Sequence, residues 1–396
     1  MIKITSNRFY SGQSSPIFTA SKAREVHDFH KMILGYEPTP LIELKSLAQH
    51  LGVKSILVKD ESKRFGLNAF KVLGGSYALG MLLATRLNVS LSEVNLKTIA
   101  TRLPEPLTFA TATAGNHGTG IAWAAREMGQ KAVVYMPSGA ARSSVERIKN
   151  LAAECIVTDV NYDDTVRLAS RTAEENGWTL VQDTAWEGYE QIPTWISQGY
   201  MTMAAEAHEQ INSTGQSPTH IFLQAGVGAM AGGVLGYYRD ALGSSAFESI
   251  ICEPMAADCL HRSASSETGE RVNVNGALDS IMTGLACGEV NPVTWNLLRD
   301  CGRFFASVSD EISATGMRVA GNPLQNDDRI ISGESGAIGL GLLYQIMSRN
   351  ESGLSEIRNQ LNLNSNSVVL IFSTEGDTNP QRYRDIVWHG KYSTLK

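Results

Sequence analysis

The sequence predicts an α/β protein built on parallel sheets, and three observations carry that prediction. Short, β-branched runs alternate with helical stretches along most of the chain. The runs are apolar throughout rather than alternating, as expected of strands covered on both faces. Several of them end in glycine- or serine-rich turns that open a helix: TAGNHGTG (113–120), MPSGAARSS (136–144) and QAGVGAMAGG (224–233). In open α/β sheets ligands gather at these carboxyl ends of strands.

In chain order the expected strands are SILVKD (55–60), LTFAT (107–111), KAVVYM (131–136) and ECIVTD (154–159). TLVQD (179–183), HIFLQA (220–225), SIICEP (249–254) and SVVLIFS (367–373) follow. Helical stretches such as GTGIAWAAREMG (118–129) and SSVERIKNLAA (143–153) lie between them. The stretch 261–276, polar and rich in Gly and Ser, reads as a mobile surface loop, and 101–108 as a linker.

With 396 residues, 43% of them hydrophobic, the chain can bury a large core, and its length favours more than one structural unit. Charged residues make up 19% and the net charge is -6, so no basic field exists to recruit nucleic acid or an anionic membrane. The N-terminus lacks a secretory pattern, and no apolar run approaches the roughly 20 residues that cross a bilayer. Five cysteines without CxxC spacing suggest neither a disulfide framework nor a zinc site. A cytoplasmic, reduced protein without a bound metal is expected. Cys259 and Cys287 could approach each other, although two unpaired thiols is the plainer reading.

Three segments carry candidate chemistry. Gly226, Gly228, Gly232 and Gly233 sit where a strand turns into a helix, and such a turn cradles phosphate. That turn alone would also suit a dinucleotide, with Glu253 at the end of the next strand as a ribose-binding acid. Lys71 lies in NAFKVLGG, and a packed stem would disfavour its charge and suit an imine-forming amine, although a lone lysine more often snorkels. In TATAGNHGTG, the backbone from Ala114 to Gly118 could hold a carboxylate, and Asn116 offers an amide. His117 is either a base or a packed histidine at a helix start.

Taken together, PTPL (38–41), NAFKVLGG (68–75), AGNHG (114–118), GVGAMAGG (226–233) and STEGDT (373–378) resemble the fold-type II pyridoxal 5'-phosphate (PLP) enzymes. QDTAWEGYEQIPTWISQGY (182–200), IMTGLACGEVNP (281–292), GMRVAGNP (316–323) and IISGESGAIGLG (330–341) narrow the resemblance to the diaminopropionate ammonia-lyase family, from about residue 10 onward.

The resemblance implies two parallel-sheet α/β domains with the cofactor between them. The larger would comprise 1–79 plus 191–396, and a smaller, mobile substrate-binding domain would comprise 80–190. It makes Lys71 the Schiff-base lysine, flanked by Phe70, and places Asn116 at the cofactor's phenolic oxygen. Gly226, Val227, Gly228, Ala229 and Met230 would hold the phosphate, and Ser373 or Thr374 the pyridine nitrogen. Ala114, Gly115, Asn116 and His117 would line the substrate, and Asp377 would shape a turn.

Asp183 would remove the proton from an L-substrate. The family pattern Asp-Gly-Asn-His-Gly here reads Ala114-Gly115-Asn116-His117-Gly118, which removes the acid associated with the D-isomer. The implied reaction is β-elimination from L-2,3-diaminopropionate, weak on the D-isomer. The alternative is a related dehydratase-like or β-replacing activity on another β-substituted amino acid. A homodimer is usual in the family, and Cys259 and Cys287 match positions near its site entrance.

Overall fold

The computed structural model describes residues 1–94, 98–349 and 351–393. Eleven strands are present among them: β1 (Ile2–Ser6), β2 (Leu41–Glu43), β3 (Ser55–Asp60), β4 (Thr108–Ala112), β5 (Lys131–Met136), β6 (Glu154–Val157), β7 (Thr179–Leu180), β8 (His220–Gln224), β9 (Glu248–Pro254), β10 (Phe304–Val308) and β11 (Val368–Ser373). Residue contacts divide the chain into two compact units. One holds Met1–Ala20, Pro38–Asn68 and Met203–Lys396, and the other holds Ser21–Glu37 and Ala69–Thr202.

The first unit contains a seven-stranded sheet in the order β1-β10-β9-β8-β11-β3-β2. Its five inner strands run parallel, and β1 and β2 pair antiparallel at the two edges. All five inner strands are closed to solvent on both faces, apart from a half-buried Glu248, and their centres are apolar, with buried polar or charged side chains such as Lys59, Asp60, His220, Gln224 and Glu253 near their ends. Val58, Phe222, Ile250, Val369 and Ile371 share one core with Ile312, Leu340 and Leu343 from the helices Asp310–Gly321 and Ile338–Ser348.

The second unit contains an all-parallel sheet in the order β6-β5-β4-β7. Ala112, Val133 and Tyr135 form its core with Ala169. Its edge strands β6 and β7 are only half covered, so the expectation of burial on both faces holds for its inner strands alone.

Most expected strands are present within a residue or two, with β6 and β7 ending earlier than 159 and 183. The short antiparallel edges β1 and β2, and the apolar run of β10, were not singled out in the sequence. The expected loop 261–276 begins inside the helix Cys259–Ser265. Its remainder is tied down by Val272 N donating to Ser263 Oγ at 2.8 Å and Val274 N to Gly288 O at 2.8 Å. No helix among the described residues is long and apolar enough to cross a membrane, and no group of three or more His, Cys, Asp or Glu side chains there could hold a metal ion.

Candidate active site

Within the second unit, Lys71 stands at the start of the helix Val72–Leu87, and two glycine-lined crossings fix it there. At Gly120 a Cβ would lie 2.9 Å from Val72 N and 3.1 Å from Lys71 C. The absence of that carbon lets the helix Asn116–Glu127 meet the Lys71 backbone. On another side, a Cβ at Gly199 would sit 2.4 Å from Leu73 O and 2.7 Å from Gly74 Cα, where the helix Gln191–Gly199 crosses. Buried His30 adds a third anchor: its Nε2 donates to Leu73 O at 3.0 Å, and its Nδ1 meets Thr202 Oγ1 at 2.6 Å.

The Lys71 side chain is 21% exposed, and its Nζ lies 5.7 Å from the centre of the Phe70 ring. The same amine donates to Asp183 Oδ2 at 2.5 Å. Asp183 follows β7, as expected of a residue at the carboxyl end of a strand. His117 Nδ1 lies 3.9 Å from the same carboxylate oxygen. Its Nε2 donates to Val181 O at 2.9 Å, which leaves Nδ1 as a buried lone pair without a hydrogen-bond partner.

Burial lowers the pKa of His117, while the nearby Asp183 carboxylate acts to raise it. Burial acts to raise the Asp183 carboxyl, but the His117 ring and Lys71 together hold it well below the usual carboxylate range. Lys71 acts on Asp183 through both its charge and its hydrogen bond.

Ala114 is exposed and Asn116, the first residue of its helix, is half-buried. Gly115 N donates to Thr113 Oγ1 at 2.9 Å, which shapes the turn. At Gly118 a Cβ would come within 2.4 Å of Thr113 and 2.6 Å of Val134, so only glycine fits there.

Within the first unit, Gly226 and Val227 are half-buried in the turn that opens the helix Ala229–Leu242. Gly228 has φ 99°, and a Cβ there would meet Leu298 at 2.7 Å. The first N–H groups of a helix have no partners inside it, and they form an anion cradle with the adjoining turn. Ser373, ending β11, bonds Ser332 Oγ at 2.8 Å, and Thr374 Oγ1 accepts from Gln224 Nε2 at 2.8 Å. Both hydroxyls are buried. Asp377 accepts from Asn68 Nδ2 at 3.1 Å, in keeping with a turn residue.

Each unit taken by itself suits a part of pyridoxal phosphate: the second offers a primary amine on a braced helix start, and the first a glycine cradle for a phosphate and neutral hydroxyls for a ring nitrogen. The dinucleotide reading loses its acid. Glu253 is fully buried and accepts from Leu260 N at 2.8 Å and His261 N at 2.6 Å, which ties its carboxylate to the helix Cys259–Ser265.

A family model described as "Pyridoxal-phosphate dependent enzyme" matches residues 32–372. The chain is 54% identical to the diaminopropionate ammonia-lyase of Escherichia coli K12 over 392 residues, covering 99% of this chain and 98% of that one. The chain belongs to the diaminopropionate ammonia-lyase family of PLP-dependent enzymes. Its cofactor is pyridoxal 5'-phosphate.

The Salmonella typhimurium diaminopropionate ammonia-lyase is 48% identical over 390 residues, covering 97% of this chain and 96% of that one. The crystal structure of the E. coli enzyme in complex with D-serine superposes with a TM-score of 0.94 at 53% identity, over 99% of this chain and 98% of that one. Tomato threonine deaminase isoform 2, 17% identical, shares the fold at a TM-score of 0.71, with 98% and 97% covered.

No disulfide joins the five cysteines, all of which lie among the described residues. Cys259 Sγ points to the carbonyls of Gly226 at 3.8 Å and Cys287 at 3.7 Å. Sequence reasoning missed the residues that brace the site: Gly120, Gly199, His30 and Tyr189. Gly199 and Tyr189 stand inside the quoted 182–200 motif, but the reason each must be what it is lies in three-dimensional contacts.

Proposed function

We propose that this protein is a lyase acting on L-2,3-diaminopropionate, giving pyruvate and two ammonia with the uptake of one water. The Lys71–Asp183 pair carries this reading: an amine able to hold the cofactor and a carboxylate able to take a proton stand in contact. When bound, the cofactor draws off the electron pair left at the substrate Cα. Phe70 and Asn116 would flank it, the cradle from Gly226 through Val227, Gly228 and Ala229 to Met230 would hold its phosphate, and Ser373 or Thr374 would meet its ring nitrogen.

A neutral hydroxyl at that nitrogen favours elimination over transamination, because it leaves the ring unprotonated. Asp183 accepts the Cα proton from the L-substrate. The Lys71 ammonium holds the Asp183 carboxyl acidic. Once the Lys71 nitrogen no longer carries that charge, one of the influences holding Asp183 acidic is gone, and burial makes it a better base. The freed amine then holds and returns protons, including the one the leaving amino group requires.

The turn from Ala114 to His117 would hold the substrate carboxylate through backbone N–H groups. A methyl side chain at 114 cannot exchange a proton, so the D-isomer lacks a base on its face. The same gap leaves room for a relative of this reaction on another β-substituted amino acid. A cytoplasmic homodimer fits the family.

The test measures pyruvate and ammonia from each enantiomer with PLP-loaded protein. Turnover of the L-isomer with a D-isomer rate lower by about 10²-fold or more is expected from the loss of one acid–base group. No pyruvate from the L-isomer would refute the lyase reading, and equal rates would refute the role given to Ala114.

A further inference from the structure

The segment that presents Asp183 is held by more than its short strand. β7 ends at Leu180, and the next three residues have no ladder of their own beyond Val181 N donating to Ala110 O at 2.8 Å. A single side chain spans this gap. Tyr189 Oη donates to Leu180 O at 3.0 Å and accepts from Gln182 N at 2.8 Å, so it ties the peptides on both sides of Val181. His117 Nε2 binds the carbonyl between them. The Gln182 side chain is held in turn, its Oε1 accepting from Ala112 N at 3.0 Å and its Nε2 donating to Tyr162 Oη at 3.1 Å.

The tyrosine is itself braced. Trp186 stacks on its ring, with centroids 4.4 Å apart and planes at 18°, and Tyr189 N donates to Trp186 O at 2.8 Å across the tight turn. A phenol that both donates and accepts is the one group able to serve these two backbone partners at once. Phenylalanine would leave both of them open.

We propose that Tyr189 is a positioning residue that sets the aim of the Asp183 carboxylate on Lys71 Nζ, a role resting on Asp183 being the base of the proposed reaction. Tyr189 touches neither substrate nor the reacting atoms in this role. It fixes the two peptide groups that flank Val181, two residues before Asp183, and a displacement of about an ångström at a proton-transfer group costs on the order of 10²-fold in rate.

The test compares Tyr189→Phe, Asp183→Asn and the double variant as PLP-loaded enzymes on the L-substrate. Tyr189→Phe keeps the ring and its stacking, and Trp186 emission monitors the fold. The expected result is a kcat about 10- to 100-fold lower with KM little changed. In the Asp183→Asn background the same substitution should have no further effect, since its whole effect passes through that carboxylate.

A readout apart from activity is the structure of unloaded Tyr189→Phe, in which the Lys71–Asp183 ion pair should be open. Tyr189→4-aminophenylalanine restores the donor to Leu180 O but not a good acceptor for Gln182 N, and it should recover part of the lost kcat. Should Tyr189→Phe not fold, this variant carries the test, and a folded form with the parent's ion pair but unrecovered kcat overturns the proposal.

If Asp183→Asn loses activity while Tyr189→Phe retains parental kcat and an intact ion pair, the positioning role fails and the base assignment stands. If Asp183→Asn turns over as the parent does, the base assignment itself fails and the role of Tyr189 falls with it.

Discussion

At the scale of single residues, the chemistry concentrates on three groups whose protonation states follow from their surroundings. Burial lowers the His117 pKa, the His117 ring and Lys71 together hold Asp183 below the usual carboxylate range against burial, and Lys71 is held by that carboxylate in contact. Lys71 and Asp183 were legible in the sequence, as part of a motif and at the end of a strand. His117 kept two readings, and the structure gives it a packed, hydrogen-bonded place beside Asp183. Ala114 is where the proposed site lacks a proton carrier. Introducing the acid by Ala114→Asp should raise D-isomer turnover by about 10²-fold or more if one missing proton carrier is the whole difference. Pyruvate release from the D-substrate measures it, and an unchanged rate would mean the pocket differs in other ways.

At the scale of elements, the glycines decide how closely helices approach. The sequence shows glycine at 74, 75, 120 and 199 without showing what each meets. The contact at Gly199 belongs to a helix more than a hundred residues from Lys71, and no local pattern announces it. Gly199→Ala would push a methyl group against Leu73 O and Gly74 Cα. The predicted cost is about 1–3 kcal/mol of stability, as for overpacking elsewhere, with weaker cofactor retention because the start of the Lys71 helix must shift. Thermal unfolding and cofactor titration of the variant check both, and an unaltered stability would show that the crossing is softer than its spacing implies.

The same contrast explains which elements were legible. β3, β5 and β9 are long apolar runs and were read almost to the residue. β7 is two residues long, and the helix Cys259–Ser265 is written in Cys, His, Arg and Ser, which read locally as loop. The pull toward helix there is tertiary: Glu253, from the preceding strand, takes the first N–H groups.

At the scale of the whole molecule, the first unit buries charged side chains in several places, and two of them differ in kind. Lys59, Arg64, Glu61 and Glu206 form a closed cluster of two cations and two anions, with Thr39 of the PTPL segment inside it. This cluster gives that motif a structural role: it fastens the chain between β3 and Asn68. Glu334 is different, because burial and then Glu375 push its carboxyl from 4.5 up to about 7, against an Arg382 guanidinium 3.6 Å away.

Between those two values the folded state keeps a proton that the unfolded chain has released. Stability therefore falls as pH rises through that window, and the full penalty applies above it. Glu334→Gln removes the penalty. Its unfolding free energy relative to the parent should be more favourable near about pH 8 than near about pH 5, by a difference on the order of 3 kcal/mol. An identical offset at both pH values would mean that Glu334 is ionised throughout.

Borohydride reduction of the PLP-loaded protein, followed by peptide mapping, tests the central claim most directly. A pyridoxyl group on the Lys71 side chain, on no other lysine, and absent from Lys71→Ala is the predicted result. A tag on any other residue, or none on protein shown to bind the cofactor, would contradict the account.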